Sequence, residues 1–333
     1  MDRNVPYART GYVAVVSTGQ LPAATPTELG GIASIAVRDL LHGSYQAGQL
    51  LAVVQGTLIA EFPGAPREPR VIVISAPDAV RLPNAIIANI PAGAMTANTT
   101  PNNTPASPAA PNTTKAAKTV RPPGFASAGG GAVRVGGLTV RARRWWDPSP
   151  VVGPLSRGRL DQGAAVLSRM CGQAAKGPAL ADHDSPKALA ACCAAGDLAG
   201  AVEQAERMVG LGAGIVPAGD SVLCGLLLAL RLLGGAIPGG TRAVWLADWL
   251  SAAVTSYASE RTTPLAASLL HCAARGQASA EAAAVLHGVA GEDPVEPAAR
   301  RLLTVKAAAA LGTADLAWGM VAGCRAAQAL SVS

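Results

Sequence analysis

The sequence predicts an α+β fold, with an N-terminal, mainly antiparallel β domain followed by a C-terminal α-helical bundle. Short β-branched runs bounded by glycine, proline or charged residues fill the chain to about residue 93, and no long helical pattern separates them. From about residue 157 the sequence is rich in alanine and leucine and repeats helix start and stop signals. We therefore expect a β-rich domain over residues 1–150 and a helical domain over residues 151–333.

The β part has closely spaced strand candidates. Gln55-Gly56 separates two of them in the manner of a hairpin. This spacing favours an antiparallel sheet or a small barrel over a doubly wound parallel sheet. The predicted strands are Gly11–Val16, Gly31–Val37, Leu50–Val54, Thr57–Glu61 and Val71–Ile74, with a further hairpin-like pair in Ala132–Val140.

A change of composition interrupts the β part. Residues 94–130 contain mostly proline, threonine, asparagine, alanine and glycine, and lack a periodic apolar face. Such a segment cannot bury enough apolar surface to offset the entropy of ordering it. We predict a disordered, low-complexity insertion within the β domain.

The helical part is predicted from caps and apolar periodicity. Ser185 with Pro186, Asp197, Thr263 with Pro264, and Ser279 are candidate helix starts. Gly196 and Gly276 are candidate helix ends. Helices are expected at about 161–175, 185–196, 197–208, 220–233, 242–258, 264–275, 280–289, 297–310 and 314–330.

Composition excludes several function classes. The formal net charge of +6 lies entirely in residues 1–150, with 13 Lys and Arg against 7 Asp and Glu, but these charges are too sparse for a nucleic-acid face. The apolar run Val222–Leu230 is far shorter than the ~20 residues of a membrane span. The N-terminus lacks a signal-peptide pattern. We expect a cytoplasmic protein that binds neither nucleic acid nor membranes.

The cysteines and histidines carry no recognisable chemistry. The six cysteines form no C-x-x-C pair, and the four histidines include no H-E-x-x-H motif. Buried, reduced thiols are the expected state. No metal site and no cofactor are predicted.

The most distinctive motif is the glycine-rich passage Val209–Asp220, which directly precedes an apolar helix. Closely spaced glycines let backbone N–H groups approach a ligand, and a helix N-terminus adds its positive dipole end. The passage has neither the P-loop nor the dinucleotide-binding pattern. It indicates either an anion site or a tight interhelical turn with Asp220 as a helix cap. The candidate binding residues are Gly210, Gly212, Gly214, Gly219 and Asp220.

Two further segments are candidates for the same site. Arg261, Thr262 and Thr263 precede a helix whose first residue is Pro264, and a guanidinium with two hydroxyls suits a carboxylate or phosphate. A helix cap beside a surface arginine would give the same residue pattern. Asp315 precedes Gly319 by four residues, as Ser221 precedes Gly225, which suggests an internal pseudo-repeat facing one pocket or a chance match.

These motifs resemble those of the AllH-like family, a domain long described as of unknown function. Gly210–Ser221 is similar to the family signature Gly-Leu-Gly-Pro-Gly-Leu-Thr-Pro-Ser-Gly-Asp-Asp, and Arg261–Leu270 and Asp315–Gly319 resemble its second and third blocks. Leu82–Asn84 and Trp146–Pro148 also fit. The resemblance implies a subunit of oxamate carbamoyltransferase in allantoin (purine) catabolism, which converts oxalurate and phosphate into oxamate and carbamoyl phosphate. The implied partners are a small anionic substrate (carbamoyl phosphate, oxamate or oxalurate) and other protein subunits.

The chain departs from the signature at three polar positions. Val216, Ala218 and Ser221 stand where the family has Thr, Ser and a second Asp. The backbone shape is retained while side-chain chemistry is reduced, so we predict weakened or absent catalysis. Two classes remain open: an enzyme subunit that binds its substrate through backbone N–H groups and Arg261, and a noncatalytic protein for small-anion binding or assembly.

Overall fold

The computed structural model describes residues 27–65, 68–91, 124–174 and 177–331. The predicted strand Gly11–Val16 and residues 94–123 of the predicted insertion lie outside these ranges. The last part of that predicted insertion is not irregular, because residues 125–129 form a strand.

The β part is a closed eight-stranded barrel. Its order is β1-β5-β4-β3-β2-β6-β7-β8, with β8 pairing back onto β1. Two of the eight pairs, β4 with β5 and β1 with β8, are parallel, and the other six are antiparallel. The strands are β1 (Thr27–Ser34), β2 (Gln46–Val54), β3 (Thr57–Ala65), β4 (Glu68–Ser75), β5 (Ala85–Ala88), β6 (Phe125–Gly129), β7 (Ala132–Val135) and β8 (Leu138–Trp146).

The predicted fold class, an antiparallel β domain followed by a helical bundle, is therefore wrong. The strands close into a mixed barrel because the first and last described strands, β1 and β8, pair in parallel. This pairing joins residues more than 100 positions apart, a distance over which local spacing carries no information. The predicted strand Gly31–Val37 is also too long: β1 ends at Ser34, whose hydroxyl accepts the Ala36 N–H at 3.1 Å and starts a 3₁₀ turn leading into α1 (Arg38–His42).

The barrel contributes to two hydrophobic cores. Alternate residues of β4, Ile72 and Ile74, face a core inside the barrel, while Val71 and Val73 face a second core shared with the helices. Both faces of this strand are thus buried over Val71–Ile74, which explains its unbroken apolar run there. The helical part packs directly on the outside of the barrel.

The helices of the second part occur close to the predicted positions, except that the helix predicted at about 297–310 ends at Thr304. Asp197, Thr263 and Ser279 cap their helices as predicted. The cap predicted at Ser185 is displaced, because His183 Nδ1 accepts the Ser185 N–H at 3.2 Å and the helix begins at Asp184. The helices are α2 (Arg157–Gln173), α3 (Asp184–Ala195), α4 (Leu198–Met208), α5 (Ala218–Ala236), α6 (Thr241–Arg261), α7 (Pro264–Ala274), α8 (Ala280–Val289), α9 (Val295–Thr304) and α10 (Thr313–Leu330).

Helix α5 is the central helix of the shared core. By length and composition alone it could cross a membrane, but 83% of its apolar window is buried within the protein. It extends beyond the apolar run Val222–Leu230 at both ends. Its apolar character matches its position between the other helices.

Helices α5 and α10 approach each other closely through glycines. A Cβ at Gly225 would lie 2.8 Å from the Met320 nitrogen and closer still to the Leu316 carbonyl oxygen. Reciprocally, a Cβ at Gly319 would overlap the Val222 carbonyl group. No side chain fits at either position, so the backbones of the two helices are in direct contact.

This contact predicts a large effect of a single methyl group. Gly225→Ala should lower the free energy of unfolding by about 1–3 kcal/mol, because the added Cβ has no space and the helices must separate. Gly158→Ala is the matched control, since a Cβ at this exposed helical position meets nothing within 4 Å. Urea unfolding monitored by circular dichroism measures both. Equal stabilities of the two variants would contradict the close helix contact.

Candidate anion-binding site

The glycine-rich turn joins α4 to α5 and depends on left-handed backbone conformations. Gly210, Gly212 and Gly214 have φ values of +75°, +104° and +118°. Gly210 additionally lies against the Arg261 carbonyl group, where a Cβ would overlap the oxygen. The turn and the loop between α6 and α7 can therefore meet only because Gly210 has no side chain.

Asp220 connects these two segments. It lies in the first turn of α5 and is 0% exposed. Its Oδ1 accepts the Gly210 N–H at 3.0 Å, and its Oδ2 accepts the Thr262 hydroxyl at 2.5 Å. Both carboxylate oxygens are thus engaged within the protein, so Asp220 positions the turn and the loop, and is not placed to contact a ligand.

The environment of Asp220 changes its acidity. Burial raises the pKa of its carboxyl from 3.8 to about 6, because the charged form loses its hydration. The hydrogen bonds from Thr262 and Gly210 and the positive charge of Arg261 oppose this shift without cancelling it. Asp220 therefore changes protonation state close to neutral pH.

Thr263 makes a second connection between the loop and the turn. Its hydroxyl donates to the Ile215 carbonyl at 2.6 Å and accepts the Ala266 N–H at 3.1 Å as the cap of α7. Thr263 fastens the loop to the turn, and Thr262 fastens it to Asp220 at the start of α5. Both hydroxyls are occupied by this role.

The groups left for a ligand are on the exposed side of the turn. Gly212, Ala213 and Gly214 are exposed, as is Arg261 at the end of α6. Among the described residues, the Arg261 side chain has no ion-pair partner. Backbone N–H groups of a turn and a guanidinium are both groups that can hold a small carboxylate or phosphate.

The remaining predicted residues lie deeper. Gly219 is buried, and its N–H donates to the Leu211 carbonyl at 2.8 Å, so it closes the base of the turn. Asp315 is buried at the start of α10, where its Oδ1 accepts the Ala179 N–H at 2.8 Å and burial raises its pKa. The structure does not bring Asp315 into hydrogen-bonding contact with the turn or with Arg261.

A cleft of about 570 Å³ opens beside the loop. Ser259 and Pro264, which flank Arg261–Thr263, form one wall, and barrel residues including Gln49 and Glu61 form the other. The Gln49 side chain donates to Glu61 at 2.9 Å. Sequence reasoning missed this cleft, because its walls come from parts of the chain that are 200 residues apart.

The six cysteines are free and do not suggest a reactive site. Burial raises the pKa of the Cys193 thiol to about 12 and that of Cys272 to about 11, which keeps both thiols protonated at neutral pH. Within the described parts of the chain, no cluster of three His, Cys, Asp or Glu side chains could hold a metal ion.

Comparison with known proteins identifies the part of the chain that contains this site. Residues 208–324 match the family model described as oxamate carbamoyltransferase subunit AllH. This segment is AllH-like. The predicted resemblance is thereby confirmed over about a third of the chain, a segment that includes every residue predicted for the site. No curated protein and no solved structure matches the chain.

The buried carboxyl of Asp220 predicts a pH-dependent stability. Its pKa is higher in the fold than in the unfolded chain, so its stabilising contribution is complete below about pH 3.8 and is lost as the pH rises through about 6. Relative to Asp220→Asn, the wild-type free energy of unfolding should fall by about 2 kcal/mol between about pH 4 and about pH 7. Chemical unfolding across this range measures the difference.

The exposed loop residue Asp293 provides the control. Asp293→Asn should follow the wild-type pH profile. A difference between wild type and Asp220→Asn that stays constant with pH would show that Asp220 is not a buried acid.

Proposed function

We propose that the chain is a small-anion-binding subunit of a carbamoyltransferase complex. The relation to an oxamate carbamoyltransferase subunit rests on the family match over residues 208–324. The observation that carries the proposal is the exposed turn Gly212–Gly214, which Asp220 and Thr263 tie to the loop that contains Arg261. The expected ligands are carbamoyl phosphate, phosphate, oxamate and oxalurate.

Preorganisation is the physical basis of this proposal. Asp220 and Thr263 tie the turn to the loop with three hydrogen bonds, so the turn needs little reordering when a ligand arrives. Backbone N–H groups and a guanidinium stabilise negative charge without transferring a proton. The chain would thus supply binding and charge stabilisation at an anionic group.

The departures from the family signature support a limited chemical role. Val216, Ala218 and Ser221 are all buried, and the Ser221 hydroxyl donates to the Pro217 carbonyl at 3.4 Å. None of these three positions offers a polar side chain to a ligand at the exposed face. This favours a second candidate function, in which the chain binds an anion or assembles with catalytic subunits but performs no chemistry of its own.

A thermal-shift titration tests the anion site. Phosphate, carbamoyl phosphate, oxamate and oxalurate are each added to the purified chain. A ligand at a hundredfold excess over its dissociation constant stabilises the folded state by about 2.7 kcal/mol. We expect a saturable rise in melting temperature that Arg261→Ala abolishes, since this exposed side chain supplies the only full positive charge assigned to the site.

Arg300→Ala is the matched control, because Arg300 is an exposed helical arginine on α9, outside the site. It should leave the titration unchanged. Binding that survives Arg261→Ala would contradict the proposed site. No shift with any of the four anions would favour the assembly role without ligand binding.

A further inference from the structure

One face of helix α6 exposes large aromatic side chains. The chain has only five Trp, four Tyr and two Phe residues. Three of these, Trp245, Trp249 and Tyr257, lie on α6 and are 52%, 50% and 52% exposed. The two tryptophan rings contact each other edge to face, with centroids 5.9 Å apart. The opposite side of the helix is buried against α4, α5 and α7. Exposed aromatic residues gathered on one surface are typical of protein interfaces.

Opposite charges lie at the two ends of this aromatic face. Arg242 and Glu260 are exposed and 18 positions apart, which is about five helical turns, so they lie on the same side of α6 as Trp249. Among the described residues, neither forms an ion pair. Each lies at the end of the helix that disfavours it, because the helix dipole is positive at the N-terminus, beside Arg242, and negative at the C-terminus, beside Glu260. Their own helix therefore does not stabilise these two charges.

A second copy of α6, packed antiparallel about a twofold axis, complements both charges. With the axis at the level of Ser251, midway along the face, Arg242 faces the partner's Glu260, and Glu260 faces the partner's Arg242. Antiparallel packing also brings the N-terminus of one helix beside the C-terminus of the other. Each charge then lies beside an opposite charge and beside the helix end that favours it.

The same axis also matches the bulky side chains. Trp245 and Tyr257 are each six positions from Ser251, so Trp245 faces the partner's Tyr257. Trp249 and Ala253 are each two positions from it, so a large ring lies opposite a methyl group and the two helices can approach closely. We propose that the chain forms a homodimer through this face, with α6 packed antiparallel against the partner's α6.

The inference goes beyond the proposed anion site. The paired residues of the aromatic face are distinct from the glycine-rich turn and from Arg261, so dimerisation and anion binding are tested by separate variants.

Sedimentation-velocity centrifugation of the purified full chain, over a range of concentrations, tests the inference. We expect a dimer of twice the chain mass of 33.2 kDa. Trp249→Ala should weaken dimerisation at least about tenfold, since tryptophan rings near the centre of an interface carry much of the binding energy. Phe125→Ala is the matched control, because it removes an aromatic side chain that is 70% exposed on the barrel. It should leave dimerisation unchanged.

Charge reversal tests the antiparallel pairing itself. Arg242→Glu and Glu260→Arg should each weaken dimerisation at least about tenfold, because each places like charges opposite each other at two symmetric positions. The double variant restores opposite charges at both positions and should recover most of the loss. Circular dichroism checks that these variants of exposed residues are folded.

Three results would overturn the inference. The first is a wild-type chain that is monomeric at every concentration, which would assign the aromatic face to a different partner. The second is dimerisation that Trp249→Ala leaves unchanged. The third is a double charge variant that dimerises no better than either single variant.

Discussion

The close contact between α5 and α10 is the constraint on which the rest of the structure depends. Gly225 and Gly319 let the two backbones touch, each against the carbonyl of the other helix. The contact is reciprocal: Gly225 meets Leu316, and Gly319 meets Val222. With these two helices fixed, the start of α5 and the start of α10 are also fixed, and α5 carries Asp220 in its first turn. The helix contact thereby sets the position of the candidate site.

Asp220 extends this constraint to two loops. Its carboxylate accepts from Gly210 on the turn and from Thr262 on the loop between α6 and α7. A buried carboxyl with a pKa of about 6 destabilises the fold at neutral pH relative to a neutral group of similar shape. Asp220 thus lowers the free energy of unfolding at neutral pH, while its two hydrogen bonds fix the turn relative to the loop that contains Arg261. This is the pattern expected where a site needs its binding groups preorganised.

Local signals were sufficient to predict most of the helical part. Asp197, Thr263 and Ser279 cap helices because side-chain oxygens at these positions accept nearby N–H groups, a relation that lies within four residues. The glycine-rich turn was recognisable because its glycines also lie within a few residues of one another. The family motifs are also local in sequence, which is why the relation to AllH could be inferred from residues 210–221, 261–270 and 315–319.

The non-local features could not be predicted in detail: a small barrel was one of two alternatives for the β part, without the strand pair that closes it. The barrel closes through the parallel pair of β1 and β8, and its closure leaves no trace in the spacing of either strand. The role of Asp220 was only half apparent: its place at the helix start was clear, but its burial and its bond to Thr262, 42 residues away, were not. The buried hydrogen bond from Asn84 to Ser268 joins residues 184 positions apart. In each case tertiary packing decides the function of a residue whose local sequence is uninformative.

The central claim is that the turn held by Asp220 presents its backbone to a small anion. An NMR titration of the ¹⁵N-glycine-labelled chain with inorganic phosphate and with oxamate tests it most directly. The account predicts saturable shifts concentrated in the amide resonances of Gly212 and Gly214, with little change at barrel glycines such as Gly31 and Gly131. Saturating shifts confined to other glycines, or unchanged resonances for Gly212 and Gly214 at high anion concentration, would contradict it.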